Sequence, residues 1–128
     1  MGRVTVVLAD DDLEILDAFQ KCFHHLADIH LACDGESALE LIESGIRPAV
    51  MVCDYRMPDI NGVDVVKRAR EMTGAEIPAI IASGDTSAQT IKAAKLARCT
   101  VLKKPYTPEA LIKLIARVNL DRWQDEQD

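Results

Sequence analysis

Short apolar runs alternate with longer amphipathic stretches along the chain. The runs are rich in Val and Ile and have the length of β-strands, and turn-forming residues such as "DG" and "NG" lie between elements. The second run alternates polar and apolar residues, which is typical of an edge strand, whereas the first, third and fourth are apolar throughout, as in strands buried on both faces. We assign strands to Val4–Ala9, Ile29–Ala32, Ala49–Cys53, Pro78–Ala82 and Thr100–Leu102.

The stretches between these runs have the spacing of amphipathic helices. Apolar residues recur at i, i+4 and i+7 in the first and last of them. Thr107 and Pro108 have the residue types preferred at the N-cap and first position of a helix. The first helix would bury Ile15, Phe19, Cys22, Phe23 and Leu26, the last would bury Leu111, Leu114, Ile115 and Val118, and further helices are predicted at Ala38–Ile42, Val63–Met72 and Ala88–Ala97.

Five strand–helix units in succession predict an α/β fold. We expect a doubly wound, five-stranded parallel sheet with five helices on its two faces and the strand order 2-1-3-4-5. The 128 residues, 48% of them hydrophobic, are enough for one core. We therefore predict a single domain over residues 1–120 and a polar tail over residues 121–128, with Trp123 able to pack back onto the body.

Composition excludes several functional classes. A net charge of −6 argues against a nucleic-acid groove, which needs clustered Lys and Arg. No stretch approaches the roughly 18 apolar residues of a membrane span, and the first apolar run ends at Asp10 without forming a signal peptide, so we expect a cytoplasmic protein. The cysteines have no spacing typical of zinc or disulfides and should be reduced thiols that mostly pack as small hydrophobes, and no histidine is given a chemical role; the cysteines are Cys22, Cys33, Cys53 and Cys99.

Polar residues follow four of the predicted strands. Because parallel strands share one carboxyl edge, these side chains should meet in the crevice between the first and third strands. Clustered carboxylates repel one another unless a cation is present, and they suit Mg²⁺. A lysine and a hydroxyl beside them suit a phosphoryl group, which an aspartate can accept as an acyl phosphate. The residues are Asp10, Asp11, Asp12, Asp54, Ser83 and Lys104.

Each of these residues also has an ordinary structural interpretation. Asp12 is best placed as the N-cap of the first helix. Asp54 could begin the turn "PDING", Ser83 could be a turn hydroxyl, and Lys104 could be a solvated surface lysine. Only their coincidence at four strand ends favours a phosphoryl site.

The sequence resembles the receiver domains of bacterial two-component response regulators. The matching motifs are "ADDD", "VMVCDYRMPDINGVD", "AIIASGDT" and "VLKKPYTPEAL", in order, between about Val4 and Val118. The resemblance implies a phosphoryl group taken from a histidine kinase or a histidine phosphotransfer domain, with Mg²⁺ as cofactor. It leaves a weak homodimer open.

The resemblance also implies a role for each site residue. Asp54 would accept the phosphoryl group, and Asp10 and Asp11 would hold Mg²⁺ together with Asp54 and the backbone carbonyl of Arg56. Ser83 would be the switch hydroxyl and Lys104 would bind phosphate. Pro105 would follow a cis peptide bond that aims the lysine.

Two features near the site are particular to this chain. The family usually has Tyr or Phe where Val101 stands, so we expect little of the usual output through the last strand. In having Gly84 after Ser83 and no ring at Val101, the chain resembles receivers attached to hybrid sensor histidine kinases. Arg56 and Asp85, each two residues after a site residue, have opposite charges, and we expect an ion pair across the phosphoryl position.

Two other functions compete with this interpretation. A Mg²⁺-dependent phosphohydrolase of the haloacid dehalogenase type would use Asp10, with Asp12, as its nucleophile. That class would need Thr or Val at Glu14, a second acidic pair after the lysine and room for a capping domain, and the chain supplies none of them. A receiver that serves only as a docking module is disfavoured because every site residue is present.

Overall fold

The computed structural model describes residues 3–127, and the side chains of residues 3–119. The strands are β1 (Val4–Ala9), β2 (Ala27–Ala32), β3 (Val50–Asp54), β4 (Ala79–Ser83) and β5 (Thr100–Lys103). The helices are α1 (Leu13–Phe23), α2 (Gly35–Glu43), α3 (Gly62–Thr73), α4 (Ala88–Leu96) and α5 (Pro108–Gln127).

All five strands pair in parallel, in the order β2-β1-β3-β4-β5. The predicted fold class and strand order are therefore confirmed. Strands β3 and β4 are buried along their whole length, as their apolar sequences predict, and β2 lies at an edge with exposed positions. The register places Ala9 beside Cys53, so the ends of β1 and β3 lie next to each other.

Side chains alternate along each strand and therefore build two separate cores. The core shared by the sheet with α1 and α5 contains Val6, Leu8, Phe19, Leu111 and Ile115, among others. The core on the opposite face lies under α2, α3 and α4 and contains Val7, Met51, Ile42, Val65 and Ala94, among others. The helices consequently hold the strands on both faces, and the strand ends cannot shift without repacking one of these cores.

Several element boundaries differ from the sequence prediction, and among them β2 begins two residues earlier, at Ala27, and α2 begins three residues earlier, at Gly35. Strands β3 and β4 each begin and end one residue later than predicted, so that Asp54 and Ser83 end their strands instead of following them. Helix α1 ends at Phe23 because the chain turns into β2, and Leu26, predicted to be buried, is 55% exposed. Helix α5 continues to Gln127 through most of the predicted tail; the side chain of Trp123 lies outside the described residues.

The four cysteines are free thiols in two different environments. Cys53 and Cys99 are buried and pack as small apolar residues, as predicted, whereas Cys22 and Cys33 are exposed. Burial raises the pKa of the Cys53 thiol to about 12. The two buried cysteines are therefore neutral core residues at neutral pH.

Gly62, the first residue of α3, packs directly against the end of β3. A Cβ at this position would lie 2.5 Å from the carbonyl oxygen of Asp54 and 3.1 Å from the Cβ of Cys53. The amide of Gly62 also donates to the carbonyl of Tyr55 at 3.0 Å. Only a residue without a side chain fits between α3 and the strand end that carries Asp54.

We predict that Gly62→Ala lowers the free energy of unfolding by about 1–3 kcal/mol, because the added methyl group must displace the backbone of Asp54. Urea unfolding followed by circular dichroism measures the change. The matched control is Gly84→Ala, since a Cβ at Gly84 meets no atom within 4 Å. Equal stability of the two variants would show that Gly62 is not sterically constrained.

Candidate functional site

Four strands deliver polar side chains to one end of the sheet. Asp10 directly follows β1, Asp54 and Ser83 end β3 and β4, and Lys104 directly follows β5. Asp10, Asp54 and Ser83 are only 1%, 7% and 1% exposed. The parallel sheet thus brings together residues that lie up to 94 positions apart in sequence.

Three carboxylates form the centre of the site. Asp10, Asp11 and Asp54 each offer an oxygen, and these oxygens lie within 4.8 Å of one another. Asp12 is not part of this group: it is the N-cap of α1, as predicted, and its side chain accepts a hydrogen bond from the amide of Glu14 at 3.0 Å. Its own amide donates to Asp10 at 2.9 Å, which fixes the orientation of that carboxylate.

Lys104 bridges the two buried carboxylates. Its Nζ lies 3.0 Å from an Oδ2 of Asp10 and 3.2 Å from an Oδ2 of Asp54. Burial alone would lower the pKa of Lys104, but hydrogen bonds and charges from both aspartates outweigh it and raise the pKa. The peptide bond between Lys104 and Pro105 is cis, as the resemblance implies.

The carboxyl group of Asp54 is buried between a like charge and an opposite charge. Burial raises the pKa of its carboxyl group, the charge of Asp10 raises it further, and the ammonium of Lys104 opposes both effects. A second cation beside the three carboxylates would relieve the remaining repulsion. The geometry therefore supports both a divalent cation and a nucleophilic carboxylate at this position.

Ser83 is engaged with the loop that follows it. Its hydroxyl donates to the carbonyl of Asp85 and accepts from the amide of Asp85, both at 2.9 Å. The amide of Lys104 donates to the Ser83 carbonyl at 2.9 Å. This bond joins β4 to the start of the lysine loop, residues 104–107, which connects β5 with α5. In this arrangement the hydroxyl donates its hydrogen and accepts one bond within its own turn.

Arg56 and Asp85 form the ion pair that the sequence predicts. The guanidinium NH2 lies 2.9 Å from an Oδ2 of Asp85, and Arg56 is mostly exposed whereas Asp85 is partly buried. The Asp85 carboxylate also accepts from the amide of Ser87 at 2.9 Å and from the hydroxyl of Thr90 at 3.1 Å. These donors, the Ser87 amide first and Arg56 second, lower the pKa of Asp85 to about 2.

Asp85 consequently connects three parts of the rim. Its carboxylate binds Arg56 in the loop after β3 and Thr90 in the first turn of α4. Its amide donates to the hydroxyl of Ser83. Thr90 is buried, and Ser87 is the N-cap of α4. Thr90 could not be singled out from the sequence, because a threonine within an Ala-rich helix gives no signal for a contact five residues back.

Val101 and Tyr106 also lie near the site, and of these two only Tyr106 was not singled out from the sequence. Val101, at the position where the family usually has a ring, is only partly buried and packs against the core under α4. Tyr106, two residues after Lys104, has a buried hydroxyl without a hydrogen-bond partner among the described residues. Burial raises the pKa of Tyr106 to about 12, and the charge of Asp10 adds to that effect.

Comparison with known proteins agrees with this geometry. The response regulator receiver domain family matches residues 6–116. The response regulator SaeR of Staphylococcus epidermidis is 31% identical over 120 residues, which cover 89% of this chain and 51% of SaeR. SaeR of Staphylococcus aureus is 30% identical over 116 residues, 89% of this chain and 48% of SaeR. The chain thus spans about half the length of the curated relatives it matches.

Solved structures have the same fold. The receiver domain of the Francisella response regulator 1452 is 29% identical, with a TM-score of 0.81 over 94% of this chain and 99% of that one. Chemotaxis protein CheY4 of Vibrio cholerae is 27% identical, with a TM-score of 0.83 over 91% of this chain and 99% of that one. A CheY-like receiver domain protein of Methanospirillum hungatei, at 19% identity and a TM-score of 0.88 over 97% and 99%, supports the fold alone.

No helix within the described residues is long and apolar enough to cross a membrane. The family match begins within β1 and ends within α5, and it includes every strand end that contributes to the site. Together with the relatives above, that match shows that the chain belongs to the response regulator receiver domain family of two-component signalling.

Proposed function

We propose that this receiver domain accepts a phosphoryl group on Asp54 from a phosphohistidine and changes conformation through Ser83. The observation that carries the proposal is the buried Asp54 carboxylate, which lies with Asp10 and Asp11 on one side and Lys104 Nζ at 3.2 Å. A turn residue or a solvated lysine would not be buried in such a group. The donor would be a histidine kinase or a histidine phosphotransfer domain.

The donor set at the site fits Mg²⁺. Three hard carboxylate oxygens lie within 4.8 Å of one another, and neither sulfur nor imidazole is among them. Asp10, Asp11 and Asp54 would hold the ion, with the backbone carbonyl of Arg56 as a further ligand. When bound, Mg²⁺ supplies positive charge that stabilises the transferring phosphoryl oxygens.

The residues of the chain would then act in sequence. A carboxylate oxygen of Asp54 attacks the phosphorus, the new oxygen–phosphorus bond forms, and the nitrogen–phosphorus bond to the donor imidazole breaks. Lys104, now paired with both Asp10 and Asp54, would move its ammonium toward the phosphoryl oxygens. Ser83 would leave its turn with Asp85 and donate its hydroxyl to the same group.

The contacts of Asp85 indicate how a movement of Ser83 would be transmitted to the surface of the domain. Withdrawal of Ser83 displaces the Asp85 backbone, and its carboxylate holds both Arg56 and Thr90. Helix α4 would therefore respond more than β5, where Val101 has no ring to rotate. A partner that recognises α4 would detect the phosphorylated state.

Several wider assignments rest on the family and belong to the same proposal. Residues 1–120 would form one receiver domain, followed by the segment 121–128, and the protein would work in the cytoplasm. It would bind neither nucleic acid nor membrane through this domain, and would form at most a weak homodimer. SaeR is named a response regulator, whereas Gly84 and Val101 favour a receiver of a hybrid sensor kinase.

We predict that acetyl phosphate with Mg²⁺ places one acid-stable, hydroxylamine-labile phosphoryl group on Asp54, because only this buried carboxylate lies beside both the acidic pair and Lys104. Asp54→Asn should abolish labelling, and Asp10→Asn should weaken Mg²⁺ binding and slow it. Mass spectrometry of peptides locates the group, with exposed Asp64→Asn as control. Labelling of Asp10 that survives Asp54→Asn would instead favour the phosphohydrolase.

We expect beryllium trifluoride, a phosphoryl mimic, to shift the amide resonances of residues 83–87 and the first turn of α4, with smaller shifts in β5. Thr90→Val, which removes the hydrogen bond to Asp85, should reduce the α4 shifts and leave those of Ser83. The control is Thr73→Val, whose hydroxyl bonds only within α3 and its C-terminal turn. Large shifts centred on Val101 with a static Ser83 loop would contradict this mechanism.

We predict that the Arg56–Asp85 pair acts as a lid that blocks the water needed for in-line hydrolysis of the acyl phosphate. Arg56→Ala and Asp85→Ala should each accelerate loss of the phosphoryl group several-fold, and the double variant should be no faster than the single ones. Decay of labelled protein after removal of the donor gives the rates. Slower decay in Asp85→Ala would show that Asp85 orients the attacking water instead.

A further inference from the structure

The phosphoacceptor loop, residues 55–61, carries the Arg56 carbonyl and is fixed at its two ends. The amide of Tyr55 donates to the carbonyl of Ala82 at 2.8 Å, which extends the pairing of β3 with β4. The amide of Gly62 donates to the carbonyl of Tyr55 at 3.0 Å, which closes the loop at the start of α3. These two bonds leave the middle of the loop without support from the sheet.

Asp59 supplies the anchor in the middle of this loop. Its carboxylate accepts three hydrogen bonds, from the amides of Gly35 at 3.0 Å, Glu36 at 2.8 Å and Ile60 at 2.8 Å. Apart from amides directed at this carboxylate, the backbone of residues 56–60 makes no hydrogen bond to a described residue. Side chains therefore hold the middle of the loop: Met57 and Ile60 pack against the core, Arg56 pairs with Asp85, and Asp59 provides the hydrogen bonds to α2.

The anchor is fixed on its other side by helix α2. The first amides of a helix have no partner within it, and here those of Gly35 and Glu36 donate to Asp59 while that of Ser37 donates to Asp34 at 2.7 Å. The partial positive charge of the helix start adds to these bonds. Slight desolvation raises the pKa of Asp59, but the hydrogen bonds from backbone amides outweigh it and lower the pKa.

The contact between the loop and α2 is also sterically tight. A Cβ on Gly35 would lie 2.9 Å from Cγ2 of Val65 and 3.1 Å from Cβ of Ile60. The helix start therefore rests against both the loop and α3. Asp59 itself lies at the surface, so its replacement opens no cavity in the core.

We propose that Asp59 is a positioning residue for the cation, which holds the phosphoacceptor loop against the start of α2 so that the Arg56 carbonyl faces the Asp10, Asp11 and Asp54 carboxylates. The inference rests on the proposed function, since it requires that the site binds Mg²⁺. Arg56 precedes Asp59 by three residues, and one of those between them is Pro58, whose ring restricts the backbone. Fixing Asp59 therefore restricts where that carbonyl can lie.

Coupling of this kind must act in both directions. If the start of α2 steadies the loop for the cation, the cation must in turn steady the start of α2. Addition of Mg²⁺ should therefore slow hydrogen exchange at the amides of Gly35 and Glu36, although neither residue is a ligand. Loss of the Asp59 carboxylate should remove this effect.

The experiment compares Asp59→Ala with Asp34→Ala, a matched control that removes the other side-chain acceptor at the same helix start and leaves the loop anchored. Mg²⁺ affinity is measured by amide chemical-shift titration, without phosphodonor, and stability by urea unfolding. We expect Asp59→Ala to weaken Mg²⁺ binding about tenfold, typical of residues that orient a ligand, and Asp34→Ala to leave it unchanged. Asp59→Asn, which keeps one acceptor oxygen, should lie between them and covers the case in which the alanine variant does not fold.

The outcomes separate this inference from the proposed function. If the wild-type protein does not bind Mg²⁺, the proposed function fails. If the wild-type protein binds Mg²⁺ and the Asp59 and Asp34 variants bind it equally well, the positioning role is wrong and Asp59 is only a helix cap. If Asp59 variants bind Mg²⁺ weakly and lose the exchange protection at Gly35 and Glu36, the inference stands.

Discussion

Burial of like charges at the ends of β1 and β3 is the constraint on which the rest of the site depends. Asp10 and Asp54 are almost inaccessible to solvent, and two such carboxylates repel each other strongly unless a cation lies between them. Lys104 provides that cation, with its ammonium within 3.2 Å of both. The ammonium of Lys104 is kept in place by the bond between the Lys104 amide and the Ser83 carbonyl, and by the packing of both cores around the strands.

The loops around the carboxylates are joined by side chains more than by backbone contacts. Asp85 connects the loop after β3 with the start of α4, and Asp59 connects the same loop with the start of α2. Both carboxylates accept backbone amides, and hydrogen bonds to them lower the pKa of each. One loop, which follows the proposed phosphoacceptor, is therefore attached to the helices on either side of it.

The sequence predicted the parts of this arrangement that follow from strand geometry. The convergence of Asp10, Asp54, Ser83 and Lys104 results from parallel pairing and strand order, and the Arg56–Asp85 pair from equal offsets on adjacent loops. The contacts of Thr90 and Asp59 could not be predicted in this way. Thr90 looked like part of an Ala-rich helix and Asp59 like a turn residue, and the partners of Asp59 lie 23 and 24 residues away.

The same limit explains the error at Leu26. Its spacing fits the apolar stripe of α1, but periodicity does not reveal where the chain must turn to pair β2 with β1. Tertiary pairing decided that boundary, as it commonly does at helix ends.

The closed turn of Ser83 bears on the energy of the switch proposed for this residue. Its hydroxyl has both a donor and an acceptor in the backbone of Asp85, so the resting arrangement is held by two hydrogen bonds. Giving up two neutral hydrogen bonds of about 1 kcal/mol each costs roughly 2 kcal/mol, which corresponds to a few per cent of molecules in the open arrangement at any time. In the proposed switch, phosphorylation would enlarge this minority, and a partner with high affinity for the open arrangement would elicit a basal response without any phosphate.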